Sequence, residues 1–166
     1  MKKNNSILVF VLAFVILSCG KTESKTDVNS EMYPAEQEKI KNILTHIFDL
    51  AKTKQLDSLE SYHLYGPKFT KFDDGEQPNR MDAESSKKGE RDLFTAVSSF
   101  SYTLDDLKVD VFGDAAIATF IINVAFKMGD NEGTAKSRGT LVFVKLGEDW
   151  KITHEHFSPY GIPPAH

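Results

Sequence analysis

Residues 138–159 read RGTLVFVKLGEDWKITHEHFSP. Two runs rich in Val, Leu, Ile, Phe and Thr flank Gly147, Glu148 and Asp149, which is the composition of two β-strands joined by a tight turn. The pattern recurs upstream. YTLDDLKVDVF at 102–112 and AAIATFIINVAFKM at 115–128 are separated by Gly113 and Asp114, and GDNEG at 129–133 leads into KSRGTLVFVKL at 136–146. Four antiparallel strands in a meander are predicted. The two middle strands are apolar at nearly every position, the pattern of a sheet covered on both faces. Helices would cover one face, and a partner subunit or further chain the other; a homodimer made through the sheet is expected.

The helices precede the strands. After Pro34, a residue suited to a first helical turn, Ile40, Ile43, Leu44, Ile47, Leu50 and Ala51 recur at helical spacing. Glu36 and Glu38 near the start and Lys52 and Lys54 near the end complement the helix dipole. A shorter helix is predicted over 57–65 with Asp57 as cap, and a third over 82–98 with Leu93, Phe94 and Val97 on one side. Between them GPKFTKFDDGEQPNR (66–80) carries loop residues together with two apolar anchors, Phe69 and Phe72, so it is expected to pack back over the domain. Helices followed by strands make an α+β domain with helices packed on one face of an antiparallel sheet.

The N-terminus points to export. MKKNNS precedes the uncharged run ILVFVLAFVILS, which is shorter than the roughly 18 to 20 residues that span a bilayer and has the order of a secretory signal. Ile16, Leu17, Ser18 and Cys19 match a bacterial lipobox, and Cys19 is the only cysteine among 166 residues, with no disulfide partner. Residues 1–18 are therefore expected to be a signal peptide, with Cys19 acylated and membrane-anchored. Gly20 rather than aspartate after it favours the outer membrane. Residues 19–33, polar and rich in Ser, Thr and charge, read as a tether. Residues 34–166 suit one domain with one core. The net charge of −4, with both signs interspersed, presents no basic face for nucleic acid.

The stretches LKVDVFGDAAIATF (107–120) and RGTLVFVKLGEDWKITHEHFSP resemble the SnoaL-like branch of the nuclear transport factor 2 (NTF2)-like superfamily. The resemblance extends from about Glu36 to Pro159. Trp150, His154, His156 and Ser158 reproduce a Trp-x-x-x-His-x-His-x-Ser pattern also seen in the association domain of calmodulin-dependent kinases. It implies a cone: a strongly curved sheet wrapped around a helix, with a cavity at the wide end. The family includes polyketide cyclases, isomerase-like enzymes, dehydratases and members without catalysis, so the fold alone does not give the function. No residues match the Tyr and Asp oxyanion pair and Asp base of ketosteroid isomerase. Phe157 stands where some kinase association domains carry arginine, so an anion-binding role does not transfer.

His154 and His156 are the sharpest candidates. Residues two apart on a strand share a face about 6.5 to 7 Å apart, which permits chelation, but zinc needs three or four ligands. His46 and His63 fall on predicted helices of unknown orientation, so no third ligand is placed and no metal is expected. If Trp150, Ile152, His154 and His156 line the concave face, the cavity holds two imidazoles able to act near neutral pH. If the other face is concave, it receives Thr153, Glu155 and Phe157. On the reading preferred here, both histidines share the face of Trp150 and Ile152 and hydrogen-bond within the barrel wall. Tyr62, Tyr102, Arg138 and Glu155 are further candidate ligand contacts, with Arg138 either in the cavity or on its rim. Asp73 and Asp74 read as a solvated turn and His46 as solvent-facing. No Gly-rich phosphate loop, nucleophile elbow or metal motif is present, and no cofactor is expected. Two functions remain: a binding protein for a small, partly apolar ligand, or a cofactor-independent lyase, isomerase or hydrolase using a cavity histidine.

Overall fold

The computed structural model describes residues 32–73 and 79–161. The expected signal peptide, Cys19, all but the last two residues of the tether, and Asp74 lie outside the described residues. Among the described residues no helix is long and apolar enough to cross a membrane.

Helix α1 spans Pro34–Lys52 and buries Ile40, Leu44, Ile47, Leu50 and Ala51, the stripe its periodicity sets. A five-residue helix, α2 (Leu56–Glu60), buries Leu59. Strand β1 (Thr70–Phe72) follows, then α3 (Ala83–Ala96), whose N-cap Asp82 accepts a 2.8 Å bond from the Ser85 N–H. The meander is β2 (Val97–Phe112), β3 (Ala115–Met128), β4 (Asn131–Leu146) and β5 (Asp149–Pro159). Sheet order is β1-β5-β4-β3-β2.

Two local devices bend this sheet. In β2 the pairing with β3 shifts register between Asp105 and Lys108, and Asp106 sits at φ 50, a left-handed conformation that aspartate tolerates better than most residues. In β4, Gly139 leaves room for a ring: a Cβ there would lie 2.4 Å from Phe120 Cε2. Any larger residue would push Phe120 out of the core.

The concave face closes over α1. Gln37 Nε2 donates to the Val109 carbonyl at 2.9 Å, and the Tyr102 hydroxyl lies 3.0 Å from both the Thr45 carbonyl and Asp49 Oδ1. Trp150 Nε1 donates to Glu36 Oε2 at 2.6 Å, which with Lys145 holds the Glu36 carboxyl down at about 2. Trp150, Phe143, Phe120, Ile152 and Leu141 from the sheet meet Ile40, Leu44 and Leu59 from the helices in one core. Burying each such side chain contributes roughly 1.5 to 3 kcal/mol.

Several expectations are corrected. The sheet is mixed rather than purely antiparallel, because β1 pairs in parallel with β5. That strand lies hidden in the Gly- and Pro-bearing segment, where Phe69 is buried as expected and Phe72 is exposed. The second helix stops at Glu60, since residues 62–64 instead pair with Ile152. The third stops at Ala96, and β2 begins at Val97 because Val97, Phe100, Tyr102 and Leu104 follow the sheet despite intervening serines. Strand β3 alternates strictly at its start: Ala116, Ala118, Phe120 and Ile122 are buried, while Ile117 and Thr119 stay exposed and Ile121 and Asn123 half-exposed. Among the described residues, only the inner face of the sheet is covered.

Candidate functional site

A β-bulge decides which residues of the last strand face inward. Val142 pairs with His154, but Phe143 pairs with Ile152, so Thr153 is an extra residue and the in–out alternation reverses across it. Trp150 and Ile152 point inward before the bulge; Glu155, not His154, is the next buried side chain. The expectation that His154 and His156 share the face of Trp150 and Ile152 is thereby corrected.

The parallel edge strand completes the arrangement. Thr70, Lys71 and Phe72 stand opposite His154, Glu155 and His156. Lys71 and Glu155 therefore face inward together, and Lys71 Nζ lies 3.0 Å from Glu155 Oε2. On the outer side Thr70 Oγ1 and His154 Nδ1 are 2.8 Å apart, and the Phe72 ring stands edge-on to both imidazoles.

His63, just past α2, reaches Glu155 from behind. Its Nε2 is 3.1 Å from Glu155 Oε1, and its Nδ1 is 3.3 Å from the Leu59 carbonyl. Both ring nitrogens face acceptors, so an imidazolium with a proton on each satisfies both. Burial opposes that charge, yet the Glu155 carboxylate outweighs it and the His63 pKa is raised. Burial likewise opposes ionised Glu155, but the charge of Lys71 and the bond from His63 bring its pKa down to about 2. Burial would lower Lys71, and the carboxylates of Glu155 and Glu90 more than compensate, so it stays charged.

Glu90 projects from α3 toward the same point. The Tyr65 hydroxyl donates to its Oε2 at 3.1 Å, and the Tyr65 ring stacks on His63 with centroids 4.9 Å apart. Burial, then the neighbouring Glu155 charge, raises the Glu90 pKa. The adjacent Arg91 fixes the helix by donating from Nε to Glu60 Oε1 of α2 at 2.7 Å.

These groups form one end of a cavity of about 510 Å³. Its wall is mostly apolar, with Phe48 from α1, Leu93 and Phe94 from α3, and Phe100, Ile122 and Phe126 from the sheet. Lys71, Asp73, Ser86, Glu90, Ser137 and Glu155 supply its polar part. His63, Glu90 and Glu155 offer three potential metal-ligand atoms within 4.8 Å of one another. The Lys71 ammonium already serves as the cation for Glu155, so a divalent ion would have to displace it. The chemistry of this set fits a resident lysine better than a metal.

The remaining candidates are scattered. Tyr102 packs its ring on Phe48 between α1 and β2. Tyr62 lies edge-on to the exposed His46. Arg138 is exposed, donates to the Pro159 carbonyl at 2.9 Å and stacks near Tyr160, away from the cavity. Asp73 lines the cavity rather than a detached turn. Sequence reasoning named Glu155 as one alternative but missed Lys71, Glu90 and the pairing role of His63. A usable signal was present for one of them: Ser86, Glu90 and Leu93 recur at helical spacing on the face of α3 that meets the cavity.

Comparison with known proteins agrees with this architecture. A family model for the SnoaL-like domain matches residues 40–163. Among solved structures, a proposed dehydratase of the NTF2-like family from Streptomyces avermitilis is 18% identical, with TM-score 0.69, covering 77% of this chain and 98% of that one. An NTF2-like protein of unknown function from Pseudomonas putida KT2440 is 18% identical, with TM-score 0.67 and coverages of 80% and 93%. The association domain of C. elegans CaMKII is 18% identical, with TM-score 0.61 and coverages of 75% and 95%. At such identities these likenesses show the fold. Comparison with curated proteins gives no match. With its family model matched from Ile40 in α1 through the whole curved sheet, the chain belongs to the SnoaL-like domain family.

Proposed function

We propose that the protein is a lipid-anchored envelope protein whose cavity binds a small, mainly apolar molecule with one polar end. The observation that carries this reading is the convergence of Lys71, Glu90, Ser86 and Glu155 at one end of an otherwise apolar chamber. A binding site needs apolar area for affinity and a few placed polar groups for orientation, and the cavity supplies both. The lipobox at Cys19 supports the anchor, and Gly20 the outer membrane. The open outer face of β2 to β4, with Ile117 40% exposed and shallow grooves along Ser101, Ala125 and Thr134, supports a homodimer through the sheet. The test is a thermal-shift screen of the full chain with small apolar compounds. Val124→Trp, which fills the cavity, is expected to abolish ligand-induced shifts that the wild type shows; shifts retained in that variant would contradict the reading.

Acid–base turnover is the second reading, favoured by Glu90, a carboxyl of raised pKa on the cavity wall. A dehydratase assignment in the name of one matched structure is in keeping with it. The candidate acid–base group then moves from His154 and His156, which face outward, to Glu90. Enzyme-dependent deuterium incorporation next to the carbonyl of a cavity ligand in D2O, lost in Glu90→Gln, tests it; no incorporation with any bound carbonyl compound counts against it.

A further inference from the structure

The charged groups around the cavity differ in what they offer an incoming molecule. The two bases are covered: Lys71 and His63 are each 7% exposed, and both are committed to Glu155, which is itself buried. The acids Glu90 and Asp73 retain accessible surface, half-exposed and exposed respectively. The accessible charged groups described on this wall are therefore carboxyl groups.

Glu90 feels the charges of Lys71 and His63. Both pair with Glu155, however, and none of the ion pairs among the described residues includes Glu90. Burial and the neighbouring Glu155 charge hold its carboxyl above the usual carboxylate range, while the bond from Tyr65 favours the ionised form, so a cation arriving beside it adds stabilisation that this charge lacks. One turn earlier on α3, the Ser86 hydroxyl is 1% exposed, lines the same cavity and has no hydrogen-bond partner among the described residues. A buried hydroxyl left unpaired costs roughly 1 to 3 kcal/mol, so Ser86 gains from a ligand that bonds to it. The same cavity is lined by the rings of Phe94, Phe100, Phe126 and Phe157, and the faces of aromatic rings attract cations.

We infer that the polar end of the ligand is an ammonium group on an apolar body, held by the Glu90 carboxylate and the Ser86 hydroxyl within the aromatic part of the cavity. A protonated amine donates three hydrogen bonds and accepts none, and the Glu90 carboxyl and the unpaired Ser86 hydroxyl can each accept one. The groups that set the local field are Glu90 itself, Ser86 beside it, Tyr65 and His63 after α2, Lys71 and Asp73 at β1, and Glu155 on β5. A free carboxylate ligand would instead face Glu90 and Asp73, the accessible charged positions among the described residues of the wall.

This inference rests on the cavity-binding reading and names its ligand class. The test compares three probes of one shape, 4-phenylbutylamine, 4-phenylbutanol and 4-phenylbutyrate, by calorimetry on the full chain near pH 7.5, where the amine is charged. The amine is expected to bind at least tenfold more tightly than the alcohol, the scale of one charge-assisted bond, with the carboxylate weakest. Glu90→Gln, which preserves shape, should bring amine and alcohol within about twofold of each other. Equal binding of amine and alcohol to the wild type, or tightest binding of the carboxylate, overturns the ammonium assignment and leaves cavity binding standing. A preference for the amine that survives in Glu90→Gln overturns the assignment to Glu90. Binding of none of the three at millimolar concentration overturns cavity binding of such molecules, and this inference with it.

Discussion

Lys71 and Glu155 stand directly opposite each other on adjacent parallel strands, and their side chains meet at 3.0 Å inside the cavity wall. Removing one partner leaves a buried charge without compensation. Lys71→Met is expected to cost about 3 to 5 kcal/mol. Adding Glu155→Gln should recover a large part of that loss, because glutamine stays neutral and its carbonyl still accepts from His63. Urea unfolding of the two single variants and the double variant measures the coupling; additive losses would contradict a direct pair.

The same cluster sets a pH dependence. Glu155 titrates near 2 in the folded chain against an ordinary 4.5, so its stabilisation is present above about 4.5 and is lost as pH falls through 2. His63 is raised from 6.5, so its contribution is complete below 6.5 and is lost as pH rises through its folded value. Stability is therefore expected to be greatest between about pH 4.5 and 6.5. Urea midpoints taken across pH 2 to 9 should fall on both sides, and Glu155→Gln should flatten both limbs. A wild-type profile that keeps rising above pH 7 would contradict the His63 assignment.

His154 and His156 supply the contrasting case. His154 bonds Thr70 on the outer side of the sheet, so His154→Gln is expected to cost about 0.5 to 1.5 kcal/mol, the net value of one ordinary hydrogen bond. His156 is exposed, and His156→Ala is expected to stay within about 0.5 kcal/mol of wild type. Thermal melts of both variants check this. A loss above about 3 kcal/mol in either would place an imidazole in the core.

Much of the fold is legible in the sequence because hydrophobic spacing reports it directly. Ile40, Leu44, Ile47 and Leu50 mark α1, and the Val-, Ile- and Phe-rich runs between glycine turns mark β2 to β5. The site is less legible, for two physical reasons. One extra residue, Thr153, inverts the alternation of β5, and nothing in its identity announces a bulge. The edge strand β1 is three residues long with a lysine at its centre, so Lys71 reads as a loop charge until its pairing with Glu155 is seen. The covered outer face expected from β3 has no partner among the described residues, and its Ile117 and Ile121 alternate with buried alanines and Phe120.

That open face yields a prediction of its own. The full chain should form a homodimer through the sheet, and Ile121→Glu, on the outer face of β3, should shift it toward monomer. Light scattering coupled to size exclusion at tens of micromolar measures this. A monomeric wild type would contradict sheet-mediated assembly.

Lipidation is checked separately. Cys19→Ala should leave the chain unacylated, raise its mass by retention of the leader and move it between membrane fractions. Identical mass and fractionation for variant and wild type would contradict the lipobox reading.

The most direct test of the account asks which face of β5 the ligand meets. With a compound that shifts the wild-type melting temperature, the double variant His154→Gln, His156→Gln is measured beside Val124→Trp. The shift is expected to survive in the histidine variant, whose altered side chains lie outside the cavity, and to disappear in the filled one. Loss of the shift in the histidine variant, with Val124→Trp still responding, would place the binding site on the outer face and contradict the account.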